Sequence, residues 1–447
     1  MSSAESISQY SQSGRAKSRR SGAQSSANAA STNAAAAKQH SQADLASAEA
    51  ERQIEQAIAQ LIEGDFHSKW DSTKRLDRQF AQWGDRPIPY LIRRLESSTD
   101  TENQWFLVRA LGQFDHPAVV EALAQLLMTT PAADLQLEAT KALTALGNSA
   151  TATLANLLGA EQPLERRILA AQTLARIRRS STVSPLLSVA ADPDPQLRVI
   201  AIEALGSFHN PRITPVLLAA LEDIPPICVE AIRTLGRRVD LLASVDLIGP
   251  LQRCLYHAEE AVAQESAVAL GRLGGEAAAI ALGKFLAQPA PTAVKIAAVR
   301  ALGWMSSSTA VAYLTDAFSY PVPVIMPTVQ QEIARSLGQT RLEALSPQAA
   351  QPLLTWLQAS LADENPPPAF VLKQTVISSL ARLSAHAALD SLVSMLSDPD
   401  SRIRMHALSA LKQIDPRAAQ TKIQAYVEDE NTSPQQRQQV VESLTAW

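Results

Sequence analysis

The sequence predicts an all-α protein, a right-handed α-solenoid (superhelix) of about 11–12 helical pairs preceded by a disordered tail. Leucine recurs at a nearly fixed interval, small residues accompany it, and aromatic residues make up only 4% of the 447 residues. The recurring leucines, called key leucines below, are Leu111, Leu143, Leu174, Leu205, Leu235, Leu270, Leu302, Leu337, Leu380, Leu411 and Leu444. Their spacing is 30 to 35 residues, with one gap of 43. Such a period is typical of stacked helical pairs that bury their apolar faces against their neighbours.

The residues around each key leucine predict the second helix of a pair. Positions three and four before it are mostly apolar or small, which places them on the same helical face as the leucine. The residue directly before it is always alanine, serine or threonine. Six glycines follow directly: Gly112, Gly206, Gly236, Gly271, Gly303 and Gly338. A glycine near a helix end permits either a cap or a close backbone approach.

The N-terminal region differs in composition. Residues 1–45 are a low-complexity basic tail rich in Ser, Ala, Gln and Asn, and we expect it to be disordered because it offers little surface to bury. A solvated linker, a tether to an acidic surface and an organelle transit peptide are the three interpretations of this tail. Two amphipathic helices, at 46–63 and 67–84, then begin an N-terminal capping unit that spans 46–100.

Residues 46–447 are predicted to form a single solenoid with two irregular segments. The segment 319–327 contains three prolines, and an irregular proline-rich loop is expected at 358–369 within the longest gap between key leucines. A polar helix at 434–447 predicts a C-terminal cap over 430–447.

Two segments carry a resemblance to a known family. "DPDPQLRVIAIEALG" (192–206) and "DPDSRIRMHALSALK" (398–412) resemble HEAT repeats, most closely the HEAT-like repeat subtype found in phycobilisome (bilin) lyases. The resemblance spans roughly 65–447 and implies that the second helices line a concave groove. It also implies a structural ladder between repeats, formed by aspartates and by basic residues seven before the key leucines, such as Asp194 with Arg198 and Asp400 with Arg404.

No arrangement of catalytic or metal-binding residues is predicted. The seven histidines are scattered and none precedes a glutamate, whereas the HEAT-repeat enzyme deoxyhypusine hydroxylase binds its di-iron centre through His-Glu dipeptides. A glycine-rich phosphate loop is also missing. The sequence therefore predicts no catalytic residue, no metal and no cofactor. It contains no apolar stretch long enough to predict a transmembrane segment.

Basic residues recur two positions before or after the key leucines, away from the predicted buried stripe. One interpretation is local pairing, as in Glu138–Lys141, Glu230–Arg233 and Glu332–Arg335. The other is a partly basic groove that binds a protein partner. The candidate groove residues are Arg109, Lys141, Arg176, Arg233, Arg237, Arg272, Arg300 and Arg335. Nucleic acid is not a predicted partner because acidic residues, at 44, outnumber the 40 lysines and arginines.

Two functions follow as hypotheses. The first is a non-catalytic protein–protein interaction scaffold or assembly factor that binds its partner in the concave groove. The second is a phycobilin lyase subunit of the E/F type, which attaches or detaches bilins on phycobiliproteins. The resemblance implies a phycobiliprotein or a photosynthetic assembly component as the partner. We expect a cytoplasmic location, with the plastid stroma or the thylakoid periphery as the alternative.

Overall fold

A computed structural model describes residues 47–321, 324–362, 370–430 and 432–444. These residues form α-helices and short 3-10 turns, and no strand occurs among them. The predicted all-α fold is thereby confirmed. The predicted tail, residues 1–45, lies outside the described residues.

Contacts within the chain define two units, and the first is Met1–Thr182. Its described part begins with α1 at 47–62, whose inward face carries Ile54, Ile58 and Leu61. The other helices are α2 (Phe66–Trp83), α3 (Ile88–Ser97), α4 (Thr101–Leu111), α5 (Pro117–Thr129), α6 (Ala133–Leu146), α7 (Asn148–Asn156) and α8 (Leu164–Ile177). The even-numbered helices α2, α4, α6 and α8 pack side by side in one layer, and α3, α5 and α7 pack in a second layer.

The second unit is Val183–Trp447 and repeats the same arrangement. In chain order, its helices begin with α9 (Val183–Val189), α10 (Pro195–Leu205), α11 (Ile213–Ala219), α12 (Pro225–Leu235), α13 (Ile248–Cys254), α14 (Glu260–Leu273), α15 (Gly275–Leu286) and α16 (Thr292–Met305). They are followed by α17 (Ser308–Phe318), α18 (Pro327–Leu337), α19 (Ser346–Ala362), α20 (Phe370–Arg382), α21 (Leu389–Ser394), α22 (Ser401–Ile414), α23 (Pro416–Glu428) and α24 (Pro434–Leu444). The even-numbered helices from α10 to α22 again form one continuous layer.

Every key leucine lies in an even-numbered helix, from Leu111 in α4 to Leu444 in α24. All of them are fully buried except Leu444, which is half-buried in the last helix. The even-numbered helix is therefore the second helix of each pair, as the sequence predicts. Burial of one leucine side chain contributes about 1.5–3 kcal/mol, so the leucine row is a large part of each unit's core.

The glycines after the key leucines are sites of close helix approach. Gly206, Gly236 and Gly338 have helical backbone angles, with φ between −58° and −67°, so a left-handed cap does not explain them. A Cβ atom on Gly271 would lie 2.7 Å from the Cβ of Ala301, which is the small residue before the next key leucine. The glycine of one repeat thus fits against the small residue of the next. Of the two roles that the sequence left open, a helix cap or a close backbone approach, the structure shows the close approach.

Two of the basic residues seven before the key leucines form ion pairs with the following repeat. Arg198 donates two hydrogen bonds of 2.8 Å to the Asp223 carboxylate in the following repeat, and Lys373 pairs with Asp398 at 2.8 Å. The bidentate bond from Arg198 holds the pKa of Asp223 below its ordinary value. The acidic partner differs from the expected one. Asp194 instead caps α10 by accepting from the Gln196 and Leu197 amides, because its side chain lies at the helix N-terminus.

The two predicted irregular segments differ in the structure. Between α17 and α18, the described part of 319–326 contains the buried Ile325, and the buried Lys295 ammonium donates to the Val324 carbonyl. In the predicted loop 358–369, helix α19 continues to Ala362. The remainder, 363–369, lies outside the described residues.

Candidate protein-binding surface

All eight predicted groove residues lie on even-numbered helices or directly after them, and none is buried. Arg109, Lys141 and Arg176 belong to the first unit, and the other five belong to the second. We call the solvent-facing side of the even-numbered helices the second-helix face, and it is described separately for each unit. Arg176 and Arg237 are exposed near the C-terminal ends of α8 and α12.

In the second unit, two glutamates each hold a pair of arginines. Glu265 of α14 lies 3.5 Å from Arg233 on the preceding second helix and 3.8 Å from Arg272 on its own helix. Glu332 of α18 lies 2.8 Å from Arg300 and 2.6 Å from Arg335. Each glutamate therefore pairs both within its helix and across to the previous repeat. We call these two arrangements the arginine clamps.

The first unit has the same arrangement with one lysine. Glu138 of α6 is buried and lies 3.1 Å from Lys141 and 3.6 Å from Arg109 of α4. The local pairs Glu138–Lys141, Glu230–Arg233 and Glu332–Arg335 are all present. The pairing between repeats was not predicted, although the glutamates share a signal: Glu138, Glu265 and Glu332 all stand five residues before a key leucine.

A hollow of about 620 Å³ lies between α12, α14 and α16 on the second-helix face of the second unit. We call it the groove. Arg233 and Arg300 line it together with Glu265, and its apolar lining includes Val229, Val268, Ile296 and Trp304. Trp304 is more than half exposed. The groove therefore combines cations with a large exposed indole, a composition that is typical of protein-binding hot spots.

An apolar row accompanies the basic row. Its members stand six residues before a key leucine, which is one helical turn from the basic row on the same face. In the first unit they are Trp105, Leu137 and Ile168, and in the second they are Val199, Val229, Ile296 and Met405. The same position is glutamine in the other four repeats of the second unit, at Gln264, Gln331, Gln374 and Gln438. All of these are half-buried or exposed. The sequence interpretation missed this row and missed Trp304 because it considered only basic residues at the outward offsets.

A second, more polar hollow of about 320 Å³ lies between α18 and α20. Arg335 and Arg382 line it with Gln331, Gln374 and Ser378. Partial burial lowers the pKa of Arg382, and the positive charge of Arg335 lowers it further. The second arginine clamp therefore stands beside a third guanidinium.

The part of the chain that the structure describes holds no group of three His, Cys, Asp or Glu side chains arranged for a metal ion. Within the same residues, no helix has the length and apolar character required to cross a bilayer. Cys228 and Cys254 are both buried and free.

Comparison with known proteins gives a family and several structural likenesses. No curated protein matches the sequence. Human deoxyhypusine hydroxylase is similar with 19% identity over 67% of this chain and 96% of that one, with a TM-score of 0.26. A chain from a structure of Kap95p binding to RanGDP is similar with 10% identity over 88% of this chain and 66% of that one, with a TM-score of 0.42.

The complex of CpcE and CpcF of phycocyanin lyase from Nostoc sp. PCC7120 is similar with 20% identity over 59% of this chain and 94% of that one, with a TM-score of 0.29. None of these three likenesses is strong enough to indicate a function. The family described as HEAT repeats matches residues 88–175, 151–228 and 355–445, which together cover about half of the chain. The leucine, glycine and small-residue rows of the structure lie within and between these segments. Because the family match covers about half of the chain, the chain belongs to the HEAT-repeat family.

Proposed function

We propose that this protein is a non-catalytic scaffold or assembly factor whose second unit binds a segment of a partner protein on the second-helix face. The observation that carries the proposal is the groove, where Arg233 and Arg300 flank an apolar lining that includes Trp304. The other predicted residues of this unit, Arg237, Arg272 and Arg335, extend the basic row on either side. For the first unit, we propose that Arg109, Lys141 and Arg176 are the corresponding partner-binding residues.

The arginine clamps support this proposal because they orient cations before a partner arrives. The Glu332 side chain is only 10% exposed, whereas the Arg300 side chain is 53% exposed. The Glu332 clamp places two guanidiniums around one carboxylate and so retains a net positive charge toward solvent. In the Glu265 clamp, Glu230 also pairs with Arg233, so the charges there balance while the guanidiniums are still held in place. A side chain that is already ordered loses less entropy on binding, and this loss is about 0.5–1.5 kcal/mol for a flexible side chain.

The matching partner segment has apolar side chains flanked by carboxylates. Its apolar side chains would contact Val229, Ile296 and Trp304, and its carboxylates would pair with Arg233 and Arg300. The resemblance to bilin-lyase repeats makes a phycobiliprotein or a photosynthetic assembly component the partner class that we propose to test first.

The test uses the double variant Arg233→Gln and Arg300→Gln. Each bridging glutamate keeps one partner, because Glu265 retains Arg272 and Glu332 retains Arg335. We expect unchanged helical content and much weaker capture of the native partner in quantitative affinity purification. Glutamine is preferable to glutamate here, since charge reversal would place one new acid beside the nearly buried Glu332 and another beside Glu265.

The matched control is Arg253→Gln with Lys284→Gln. These exposed residues lie on α13 and α15, in the other helical layer, and their removal changes the net charge equally. We expect the control to capture the partner as the wild type does. Equal capture by the groove variant and the wild type would contradict the proposal, and equal loss in both variants would show a net-charge effect.

The second candidate function is an E/F-type bilin lyase subunit. The groove volume of about 620 Å³ is within the range of small-molecule sites, and its two arginines suit the two propionates of a linear tetrapyrrole. Mixing the protein with phycocyanobilin and an apo-phycobiliprotein tests this candidate. A new absorbance band of covalently attached bilin would support the lyase function. If the protein binds the apo-phycobiliprotein but no such band forms, the result would support the scaffold function instead.

A further inference from the structure

The described N-terminal helices carry an aromatic cluster on the second-helix face of the first unit. Phe66 and Trp70 of α2 stack with centroids 6.3 Å apart, and Trp70 stacks on Trp105 of α4 at 6.2 Å. Phe106, which is fully buried, contacts both Phe66 at 5.3 Å and Trp105 at 5.1 Å. We call Phe66, Trp70 and Trp105 the aromatic platform.

The platform is exposed in a chain that has few aromatic residues. Phe66 is 49% exposed, and Trp70 and Trp105 are half-buried. An end repeat that serves only as a cap presents a polar outer surface to solvent. Three aromatic rings that share one exposed surface fit a contact site better than they fit a cap, because Trp and Tyr side chains with nearby Arg dominate protein-binding hot spots.

Cations border the platform. The Arg109 guanidinium lies 4.6 Å from the centroid of the Trp70 ring and 5.7 Å from that of Trp105, and the Lys74 ammonium lies 5.8 Å from Trp70. Arg109 also pairs with Glu138 at 3.6 Å. The guanidinium is thus held by two rings and a carboxylate, so its position is fixed before any partner binds.

The charge balance around the platform favours an acidic partner. The exposed carboxylates of Asp71 and Glu102 each face a lysine of their own, at 3.9 Å from Lys74 and 2.7 Å from Lys69. The remaining cluster has Arg109 and Lys141 around one carboxylate, that of Glu138. The Glu138 side chain is 6% exposed, against 41% for Arg109 and 58% for Lys141, so a partner meets mainly the two cations.

We propose that the aromatic platform binds a short acidic segment of another protein that carries an aromatic or leucine side chain. The apolar side chain packs on Phe66, Trp70 and Trp105, and the flanking carboxylates pair with Arg109 and Lys141. This site lies in the first unit and is independent of the groove proposed for the second unit.

The test selects peptides from a random peptide library displayed on phage, with the full chain as bait. The comparison bait carries Phe66→Ser and Arg109→Gln, which removes an exposed ring and a cation while Glu138 keeps Lys141. The control bait carries Trp304→Ser and Arg300→Gln, which alters the groove instead. Melting curves verify that each bait remains folded.

We expect peptides enriched on the wild type to combine Asp or Glu with Phe, Trp or Leu. Their affinity should fall at least about tenfold on the platform variant and stay unchanged on the groove variant. Binding should change tryptophan fluorescence, and the double variant Trp70→Phe with Trp105→Phe should abolish that change.

Three outcomes would overturn the proposal. The first is a failure of any peptide to be enriched on the wild type over the platform variant. The second is enrichment of basic or uncharged sequences. The third is weaker self-association of the platform variant in sedimentation velocity, because it would make a second copy of the chain the occupant.

Discussion

At the six glycines that follow key leucines, the missing side chain sets the distance between neighbouring second helices. A Cβ on Gly338 would lie 2.4 Å from the Ser379 Cβ, and one on Gly303 would lie 3.1 Å from the Ser336 Cβ. Helical glycine normally costs about 1 kcal/mol relative to alanine, so its presence here needs a steric reason. The contact with the next repeat supplies that reason.

We expect Gly271→Ala and Gly338→Ala to destabilise the protein by about 1–3 kcal/mol, because the new methyl group overlaps the next helix. Gly303→Ala should cost less, since its neighbour is farther away. Urea denaturation of the three variants measures the series. A stabilisation typical of an ordinary helical Gly→Ala change at Gly338 would contradict the close-approach role.

The Arg198–Asp223 bond makes stability depend on pH. Arg198 lowers the pKa of Asp223 in the folded protein below the unfolded value of about 4. The bond's contribution is therefore complete above the unfolded pKa and is lost as pH falls through the lower folded pKa. Asp223→Asn should destabilise the protein near pH 7 and reduce its loss of stability on acidification. Melting temperatures from pH 7 down to acid denaturation measure this, and parallel curves for the variant and the wild type would exclude the role.

The sequence predicted the residues of the basic row but not their full pairing. Offsets from the key leucine identified Arg233, Arg300 and Arg335 as outward-facing, because helical periodicity alone decides which side a residue occupies. The contact of Arg300 with Glu332 joins residues of different repeats, and its distance depends on how neighbouring helices pack. Trp304 stands at the same offset as Arg272, so a search for all outward side chains would have included it.

At the scale of the element, a buried stripe defines the second helices, and a local start signal marks some of them. Asp194 and Asp400 cap α10 and α22 through their side chains, and Pro195 occupies the first turn of α10. These local signals predicted the helix pairs well. The end of α19 was harder to place, because the prolines at 366–368 exclude helix only near themselves and leave the helix free to continue to Ala362.

Leu205→Ala tests the register of the second helices. Leu205 is fully buried in α10, and comparable truncations cost about 2–5 kcal/mol. Because repeats contact mainly their neighbours, we expect hydrogen exchange to accelerate first in α10 and in the adjacent α9 and α12. A cost near zero, or acceleration spread evenly over the second unit, would show that Leu205 is not a local core residue.

At the scale of the whole molecule, a basic N-terminal segment precedes an acidic body. Residues 1–45 are poor in apolar side chains, and the net charge of the chain is −4. We expect deletion of residues 1–45 to change the melting temperature by no more than about one or two degrees, because the segment has little apolar surface to bury. Scanning calorimetry of the full and shortened chains measures this. A large decrease would show that the segment stabilises the folded units.

The fit of each glycine against the small residue of the next repeat has a consequence for how such a chain can lengthen in evolution. The same contact between a glycine and a small residue, called the joint below, recurs in Gly206 with Thr234, Gly236 with Ala269 and Gly271 with Ala301. A gene duplication that copies a whole period carries both halves of the joint with it, so the inserted repeat fits its new neighbours without further mutation. Repeat number can then change while the joint is kept, and the outward rows remain free to diverge toward new partners.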